Sequence, residues 1–426
     1  MTVPSFQPLQ GMSDLAAPEI YLWQEVEETA RRILALYHVG EVRTPILEPT
    51  GLFVRSLGEG TDVVQKEMYT FEDRGGRQVS LRPEGTAGVI RFLAGQGDEA
   101  AGARVYYLGP MFRAERPQAG RRRQFHQLGV ELIGPPNPAQ DVEAVAMQQH
   151  LLNAWGLHGA RIEINTRGLP DEQDAVSAGI RRALEPDAGR LCEDCRRRLL
   201  TNVLRVLDCK QEGCRALVDK LPPVTDFMGQ ESRAYLEEVK RLLALMELPV
   251  EINPRLVRGL DYYLHTIWEI KHPALGAQDA LSGGGRYRIE WEGAVVEGVG
   301  FAAGLERILT ALQQEKGHPA GTAQGRPVAW IVSQGAGTLE QNLVLAQTLR
   351  RRGVPCGLAL DGRSVKAQMR AANRSGAAFA VIRGELEREK GLVVLKNMKD
   401  GTQEELELPA LLERLLLATR AEVAST

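Results

Sequence analysis

The chain has 426 residues, of which 43% are hydrophobic and 25% are charged, and its formal net charge is −3. This composition is typical of a globular protein with two or three domains, and it excludes a global positive field for binding nucleic acid. No apolar run approaches the roughly 20 residues that span a bilayer, and residues 1–15 do not resemble a signal peptide, so we expect a cytoplasmic protein without membrane contact.

The first 165 residues are predicted to form helices packed on an antiparallel sheet. Apolar residues recur at helical spacing in the opening segment, and two glycines separate the strands of a hairpin. The predicted elements are a helix from Ala17 to Tyr37, a strand ending at Pro45, an apolar turn at 52–57, hairpin strands at 69–72 and 79–82, a helix at 141–155 and a strand at 161–165. This arrangement favours an α+β fold.

An arginine-rich segment, residues 109–134, lies between two apolar strands of this region. Its tip contains glycine and proline, and its flanks carry Arg113, Arg116, Arg121, Arg122 and Arg123. Guanidinium groups match phosphate oxygens through paired hydrogen bonds, so the segment predicts binding of a polyphosphate, a nucleic-acid backbone, or both. A solvated hairpin held by surface ion pairs is the structural alternative.

Residues 168–225 are rich in charge and lack strand alternation, which predicts an inserted, mainly helical domain. The segment contains four of the five cysteines, namely Cys192, Cys195, Cys209 and Cys214. Their number and pairing are similar to those of a four-thiolate structural zinc site. Free thiols in a reducing compartment are the alternative.

Polar motifs follow the insertion. A helical pattern covers residues 233–246, and strand-like sequence with one arginine and two tyrosines covers residues 255–270. The three glycines at 283–285 allow a backbone to approach a ligand closely, although a β-bulge or a mobile turn has the same signature. Residues 298–313 predict a strand that turns into a helix, and a purely structural turn there has no need of Arg307.

Residues 315–326 form the clearest linker, and beyond it strands alternate with helices. This alternation predicts a small α/β domain with a largely parallel or mixed sheet. The predicted divisions of the chain are residues 1–167, the insertion 168–225, residues 226–314, the linker 315–326 and the C-terminal domain 327–426.

Taken in order, these segments resemble the motifs of the histidyl-tRNA synthetases, a family of class II aminoacyl-tRNA synthetases. The strand ending at Pro45 resembles the first motif, which lies at the dimer interface in that family. FRAERPQAGRRRQFHQLGVE at 112–131 resembles the second motif, and GVGFAAGLERI at 298–308 the third. LVRGLDYY at 256–263 and SGGGRY at 282–287 resemble the two histidine-specific signatures.

This resemblance covers nearly the whole chain and implies a fold and an activity. The implied fold is a six- or seven-stranded antiparallel sheet that carries the active site, formed by residues 1–167 and 226–314, with a helical insertion and a C-terminal anticodon-binding domain. The implied activity is that of a homodimer which activates L-histidine with ATP and Mg²⁺ and transfers the histidine to the 3′ end of tRNA(His).

The resemblance also implies a role for each residue that matches a motif position. For ATP, the implied roles are Arg113 and Arg258 at the α-phosphate as the catalytic pair, Glu115 at the adenine, and Arg121 and Arg307 at the γ-phosphate. For histidine, they are Glu84, Thr86 and Gln127 at the α-ammonium, and Glu131 and Tyr263 at the imidazole nitrogens with Tyr287 beside them. Arg116 and Gln118 are implied at the acceptor end of the tRNA. Activation brings a carboxylate to a phosphate, so two arginines at this point would offset the repulsion between the anions.

The competing hypothesis is a non-catalytic relative, such as the synthetase-like regulatory subunit of ATP phosphoribosyltransferase. Such relatives typically lack the C-terminal domain and lose the ATP-binding arginines, whereas this chain retains Arg113, Arg258 and Arg307. An RNA-binding module without ligase activity is less favoured for the same reason. The sequence therefore favours the enzyme.

Overall fold

The computed structural model describes residues 6–116, 121–258, 262–276, 279–291, 293–315, 326–335, 337–360, 362 and 364–424. Contacts within the chain define two compact units, one up to residue 319 and one from residue 320. None of the helices in the described part is long and apolar enough to cross a membrane.

The first unit combines ten α-helices with eleven strands among its described residues. The helices are α1 (Glu19–Leu36), α2 (Thr50–Leu57), α3 (Thr86–Ala94), α4 (Pro138–Trp155), α5 (Gln173–Leu184), α6 (Glu193–Thr201), α7 (Leu204–Leu207), α8 (Glu212–Val218), α9 (Gln230–Leu245) and α10 (Leu305–Glu315). The strands are β1 (Gly40–Glu41), β2 (Leu47–Pro49), β3 (Tyr69–Glu72), β4 (Gln78–Leu81), β5 (Arg104–Phe112), β6 (Gln124–Ile133), β7 (Arg161–Thr166), β8 (Val250–Ile252), β9 (Tyr263–Lys271), β10 (Ala280–Trp291) and β11 (Ala294–Gly304).

An eight-stranded sheet organises this unit, in the order β1-β5-β6-β11-β10-β9-β7-β8. The six central strands are antiparallel, and one short strand pairs in parallel with each outer strand. The α+β fold built on an antiparallel sheet is therefore confirmed. The predicted hairpin is also present, as β3 and β4 of a separate antiparallel sheet ordered β2-β4-β3.

The pleat of the large sheet separates a structural face from a polar face. In β6, the side chains of Leu128, Val130 and Leu132 are fully buried against α1, α4 and α10. Successive side chains of a strand point to opposite faces, so Gln127 and Glu131 face the other side, where α3 packs. One strand thus contributes both to the main core and to the candidate site.

Two helices near the start of the polar face differ from the sequence prediction. Residues 52–57 were predicted as an apolar turn, but they lie in helix α2, which buries Leu52, Phe53 and Leu57. Their spacing places all three on one helical face, and so short a segment is stable only through tertiary packing. Helix α3 was not predicted, and its buried Val89 and Ile90 pack under the sheet.

The insertion is helical, as predicted. Residues 168–225, all of which the structure describes, contain α5, α6, α7 and α8 together with short 3₁₀ turns and no strand. They enclose a small hydrophobic core of their own. Val257, which lies beyond the insertion in the same chain, packs against this core. This contact lies one residue before Arg258.

The second unit has a five-stranded mixed sheet in the order β13-β12-β14-β15-β16, of which the first three strands are parallel and the last two antiparallel. Its elements are β12 (Ala329–Ser333), α11 (Thr338–Arg351), β13 (Cys356–Leu358), α12 (Val365–Ser375), β14 (Phe379–Arg383), α13 (Glu385–Glu389), β15 (Leu392–Asn397), β16 (Gln403–Glu407) and α14 (Leu408–Ala424). Most of the predicted linker, residues 316–325, lies outside the described residues. The domain limits themselves stay predictions.

Candidate active site

A cleft of about 290 Å³ on the polar face of the sheet brings together the residues with implied ATP roles. They come from the β5–β6 hairpin, the segment before β9 and the start of α10. The cleft is lined by Arg113, Glu115, Arg121, Arg258 and Arg307, together with Arg122, Gln127 and Glu306. Five arginines against two glutamates give the cleft a net positive charge, which suits a polyphosphate.

The two arginines with implied catalytic roles are held on one side and accessible on the other. Arg113 donates from Nε to the Pro83 carbonyl at 2.9 Å, and its guanidinium carbon lies 5.3 Å from the centre of the Phe125 ring. Arg258 donates from Nη1 to Glu269 Oε1 at 2.8 Å. The side chains remain 25% and 23% exposed, so guanidinium nitrogens are available to a bound anion.

The arginines with implied γ-phosphate roles lie close enough to affect each other's charge. Arg121 pairs with Glu115 at 2.8 Å, and Arg307 donates to the Ala280 carbonyl. Burial lowers the pKa of the Arg307 guanidinium, and the nearby charge of Arg121 lowers this pKa further. An anion between the two cations would relieve their repulsion.

Glu131 occupies the deepest polar position beside the cleft. The residue is only 1% exposed, and its Oε1 accepts a hydrogen bond from the Thr86 hydroxyl at 2.7 Å. Burial raises the pKa of Glu131 to about 8, although the hydroxyls of Thr86 and Tyr287 act in the opposite direction. The raised pKa means that the empty pocket disfavours the charged carboxylate. A bound partner that donates hydrogen bonds or carries positive charge would stabilise it.

Four buried polar atoms around this point have no partner with full hydrogen-bond geometry among the described residues, although the Tyr287 hydroxyl is close enough to Glu131 to lower its pKa. They are Glu131 Oε2, Gln127 Oε1 and the hydroxyl oxygens of Tyr107 and Tyr287. Roughly 90% or more of buried polar groups in proteins have a partner, so a cluster of four without one indicates a ligand site. Burial raises the pKa of both phenols, which keeps them neutral and able to donate.

Glycines make the space for these side chains. A methyl group built at Gly300 would overlap the Glu131 carboxylate, and one at Gly298 would lie 2.8 Å from the Tyr287 hydroxyl. Methyl groups at Gly85 and Gly129 would both overlap the Tyr107 ring. The glycines of the motifs are therefore needed for packing of the pocket.

The three consecutive glycines have the same purpose. They lie inside β10, with a register irregularity against β9 after Gly285, and do not form a mobile turn. Side chains at Gly283, Gly284 and Gly285 would overlap the Arg258 guanidinium, the Trp268 ring and the Tyr263 ring. The absence of side chains at these glycines thus lets neighbouring side chains, including that of Arg258, pack directly against the backbone of β10.

Glu84 and Thr86 lie in a buried turn at the start of α3. The two carboxylate oxygens of Glu84 accept hydrogen bonds from the amides of Thr86 at 2.7 Å and Ala87 at 2.8 Å. Burial raises the pKa of Glu84 in spite of these bonds. The turn fixes a second carboxylate near Glu131, where a cation of the substrate would be stabilised.

Aromatic rings form a wall of the pocket. The centre of the Tyr262 ring lies 4.7 Å from that of Tyr263 and 5.9 Å from that of Tyr287. Tyr262 and Tyr107 had no role in the sequence analysis. Tyr107 is recognised from the structure, because Gly85 and Gly129 leave room for its ring and Gly129 is its direct partner in the β5–β6 register.

Arg286 lies within a predicted signature but is a structural residue. It is fully buried, and its Nε donates to Asp141 Oδ1 at 2.7 Å. Its Nη1 donates to the carbonyls of Gly134 and Pro135 at 3.1 Å. These bonds fasten the start of α4 to β10.

The two histidines near the arginine-rich elements serve as scaffold. His126 Nδ1 lies 3.1 Å from Glu306, and the His265 ring stacks on Tyr235 at 4.0 Å between ring centres. Burial and then Arg286 lower the pKa of His265 to about 4, so it is neutral at neutral pH. At the hairpin tip Arg116 is exposed, and Gln118 lies outside the described residues.

Comparisons with known proteins show which family this chain resembles over nearly its whole length. Residues 11–308 match the family described as histidyl-tRNA synthetase, and residues 329–416 match the anticodon binding domain. The histidine–tRNA ligase of Halothermothrix orenii is 43% identical over 95% of this chain and 98% of the relative, and that of Synechococcus elongatus is 44% identical over 96% and 94%. The crystal structure of apo histidyl-tRNA synthetase from S. aureus has a TM-score of 0.79 at 34% identity and covers 96% of this chain and 100% of that one.

Proposed function

Since this chain belongs to the histidyl-tRNA synthetase family, we propose that it is a histidine–tRNA ligase. It activates L-histidine with ATP, forming histidyl-adenylate and pyrophosphate, and then transfers the histidine to tRNA(His). One observation carries the proposal: a cation-lined cleft for a polyphosphate adjoins a buried pocket with unsatisfied polar atoms. Gln127 belongs to both, because it lines the cleft and its Oε1 lacks a partner among the described residues.

The activation step depends on Arg113 and Arg258. The histidine carboxylate attacks the α-phosphate in line with the departing pyrophosphate, so negative charge accumulates on the α-phosphoryl oxygens. Arg113 is anchored on the Pro83 carbonyl at 2.9 Å and Arg258 on Glu269 at 2.8 Å, and each can point further donors at those oxygens. Arg121 and Arg307 hold the other end of the triphosphate, Glu115 lies at the adenine, and Mg²⁺ accompanies the nucleotide as part of the substrate.

Selection of histidine depends on the buried pocket. The imidazole presents one donor and one acceptor, and Glu131 and Tyr263 supply the complementary groups, with Tyr287 beside them. An analogue that lacks a ring nitrogen would leave Glu131 Oε2 buried without a partner, which is the basis of strong rejection. Glu84, Thr86 and Gln127 surround the α-ammonium, whose positive charge would stabilise the Glu84 carboxylate against the burial that raises its pKa.

We also propose that the protein is a homodimer that acts in the cytoplasm, where charged tRNA is consumed. Ile46, Leu47 and Phe71 lie on or beside the small sheet near the implied first motif and are 43%, 42% and 47% exposed. Apolar side chains gathered at one surface favour an interface. The tRNA acceptor end would meet the hairpin tip at Arg116 and Gln118, and the anticodon would meet residues 327–426.

The regulatory-subunit alternative is disfavoured by two observations. All the arginines with implied ATP roles line one cleft, where a protein without nucleotide chemistry has no need of them. The match of residues 329–416 to the anticodon binding domain also identifies the part that such relatives typically lack.

The test is histidine-dependent exchange between ATP and pyrophosphate, measured for the full chain and for Arg258→Ala. We expect exchange by the wild type and a loss of about 10²-fold or more in the variant, as for removal of one transition-state donor. Arg241→Ala is the matched control, because Arg241 is exposed on α9 and pairs only with Glu238 among the partners described. A folded wild type without exchange refutes the proposed function, and normal exchange by Arg258→Ala refutes the role of Arg258.

A further inference from the structure

The inserted domain contains a cluster of four sulfur atoms that the proposed reaction does not use. Cys192 and Cys195 lie at the start of α6, Cys209 follows α7, and Cys214 lies in α8. The four Sγ atoms all lie within 4.8 Å of one another, and three of the four residues are buried. All four are free cysteines, and the sulfurs of Cys192 and Cys209 are 3.9 Å apart.

These distances fit a tetrahedral metal site. Zinc bound by four thiolates has bonds of about 2.3 Å, which corresponds to about 3.8 Å between neighbouring sulfurs. The Cys192–Cys209 distance of 3.9 Å is already of this size. The remaining sulfurs need to move by no more than about 1 Å to complete the tetrahedron.

Backbone amides support the sulfur atoms in the way that metal-bound thiolates require. The amide of Cys192 donates to Cys214 Sγ at 3.2 Å, and the amide of Cys195 donates to Cys192 Sγ at 3.4 Å. Hydrogen bonds of this kind orient the ligands and stabilise their negative charge. The first pair of cysteines is thereby tied to the second pair through the polypeptide itself.

The short helices of the insertion are of the kind that a metal cross-link stabilises. Helices α6, α7 and α8 have 9, 4 and 7 residues, and helices this short are unstable without tertiary support. Domains below about 70 residues commonly use a disulfide or a metal for this purpose. Three of the cysteines lie within the small core of the insertion, so a metal bound there would hold its helices together.

We propose that Cys192, Cys195, Cys209 and Cys214 bind one structural Zn²⁺ ion that holds α6, α7 and α8 together. The proposed reaction gives these four cysteines no role, so the metal site can be tested separately from the proposed function. Its effect extends to the active site through packing, because the core of the insertion contacts Val257, and Arg255 pairs with Asp219 at the end of α8. Loss of the metal would loosen the chain that leads to Arg258.

The test is the metal content of the full-length protein purified under reducing conditions, with cysteine variants for comparison. We expect one zinc per chain in the wild type, and a loss of zinc in Cys195→Ser and Cys214→Ser. Cys356→Ser is the matched control and should retain the zinc, because Cys356 lies in β13 of the second unit. Iron in place of zinc overturns the identity of the metal, and retention of zinc by both cluster variants overturns the ligand set.

Two measurements on the wild type keep the proposal testable if the serine variants do not fold. Cobalt exchanged into the protein should give the visible bands of a tetrahedral four-thiolate site. A thiol reagent should titrate no more than Cys356 until a chelator or a mercurial releases the metal, after which all five cysteines react. Five reactive thiols in a native protein that binds neither zinc nor cobalt would overturn the proposal.

Discussion

Replacing Glu131 with glutamine should make the ligand-free protein more stable at high pH while abolishing efficient activation of histidine. Burial raises the pKa of this carboxyl group from its ordinary 4.5 to about 8. Because this pKa is higher in the folded protein than in the unfolded chain, protonated Glu131 contributes fully to the free energy of unfolding below about pH 4.5. This contribution is lost as the pH rises through 8. At 1.36 kcal/mol per tenfold change, the wild type loses about 4 kcal/mol between pH 5 and pH 9 through this group.

Glutamine cannot ionise and still offers an oxygen to the Thr86 hydroxyl, so the Glu131→Gln variant should escape this loss. Urea unfolding of the wild type and the variant at pH 5 and pH 9 measures the effect, since other titrating groups cancel in the comparison at each pH. We expect similar stabilities at pH 5 and a variant more stable by several kcal/mol at pH 9. Glu290→Gln, on the same sheet with a side chain 78% exposed, is the control and should show no such difference. A stability difference between the wild type and Glu131→Gln that is the same at both pH values would refute the argument.

Three further substitutions test the packing and the polar groups of the site. Tyr107→Phe removes a buried hydroxyl without a described partner, so unfolding should change little while the KM for histidine in pyrophosphate exchange rises about tenfold; a loss of stability with an unchanged KM would contradict this. Gly283→Ala should displace the Arg258 guanidinium and raise the KM for ATP, whereas Gly51→Ala, which has open space, should not; equal kinetics would show that the glycine is not needed for Arg258. Arg286→Met should destabilise the protein by about 3–5 kcal/mol in urea unfolding, and adding Asp141→Asn should recover part of this; a neutral single variant would mean that the pair is not buried as described.

The sequence was sufficient for the elements whose patterns are local. Helices α1 and α9 and the alternating elements of the second unit follow from apolar periodicity, because each buries one face. The arginines of the cleft were identified from the motifs that contain them, and the texture of residues 168–225 predicted the helical insertion. The glycine turn between residues 69–72 and 79–82 was enough to predict that hairpin.

Helix α2 and the buried turn at Glu84 show where the sequence was insufficient. Segments of this length are compatible with a turn or a helix, and the choice depends on what packs against them. The role of Arg286 illustrates the same limit, since it lies in a signature beside Tyr287 and yet holds α4 through Asp141. Only the surroundings in space distinguish these cases.

The sequence by itself determined which chemical groups this protein has and the family whose motifs they form. The tertiary structure decided which groups meet, because β6, β9, β10 and β11 are distant in sequence and adjacent in the sheet. It also decided how the groups are perturbed: burial raises the pKa of Glu131 and leaves the Tyr107 hydroxyl without a described partner. Desolvation depends on all the neighbouring atoms of a group, and most of these neighbours are supplied by distant parts of the chain.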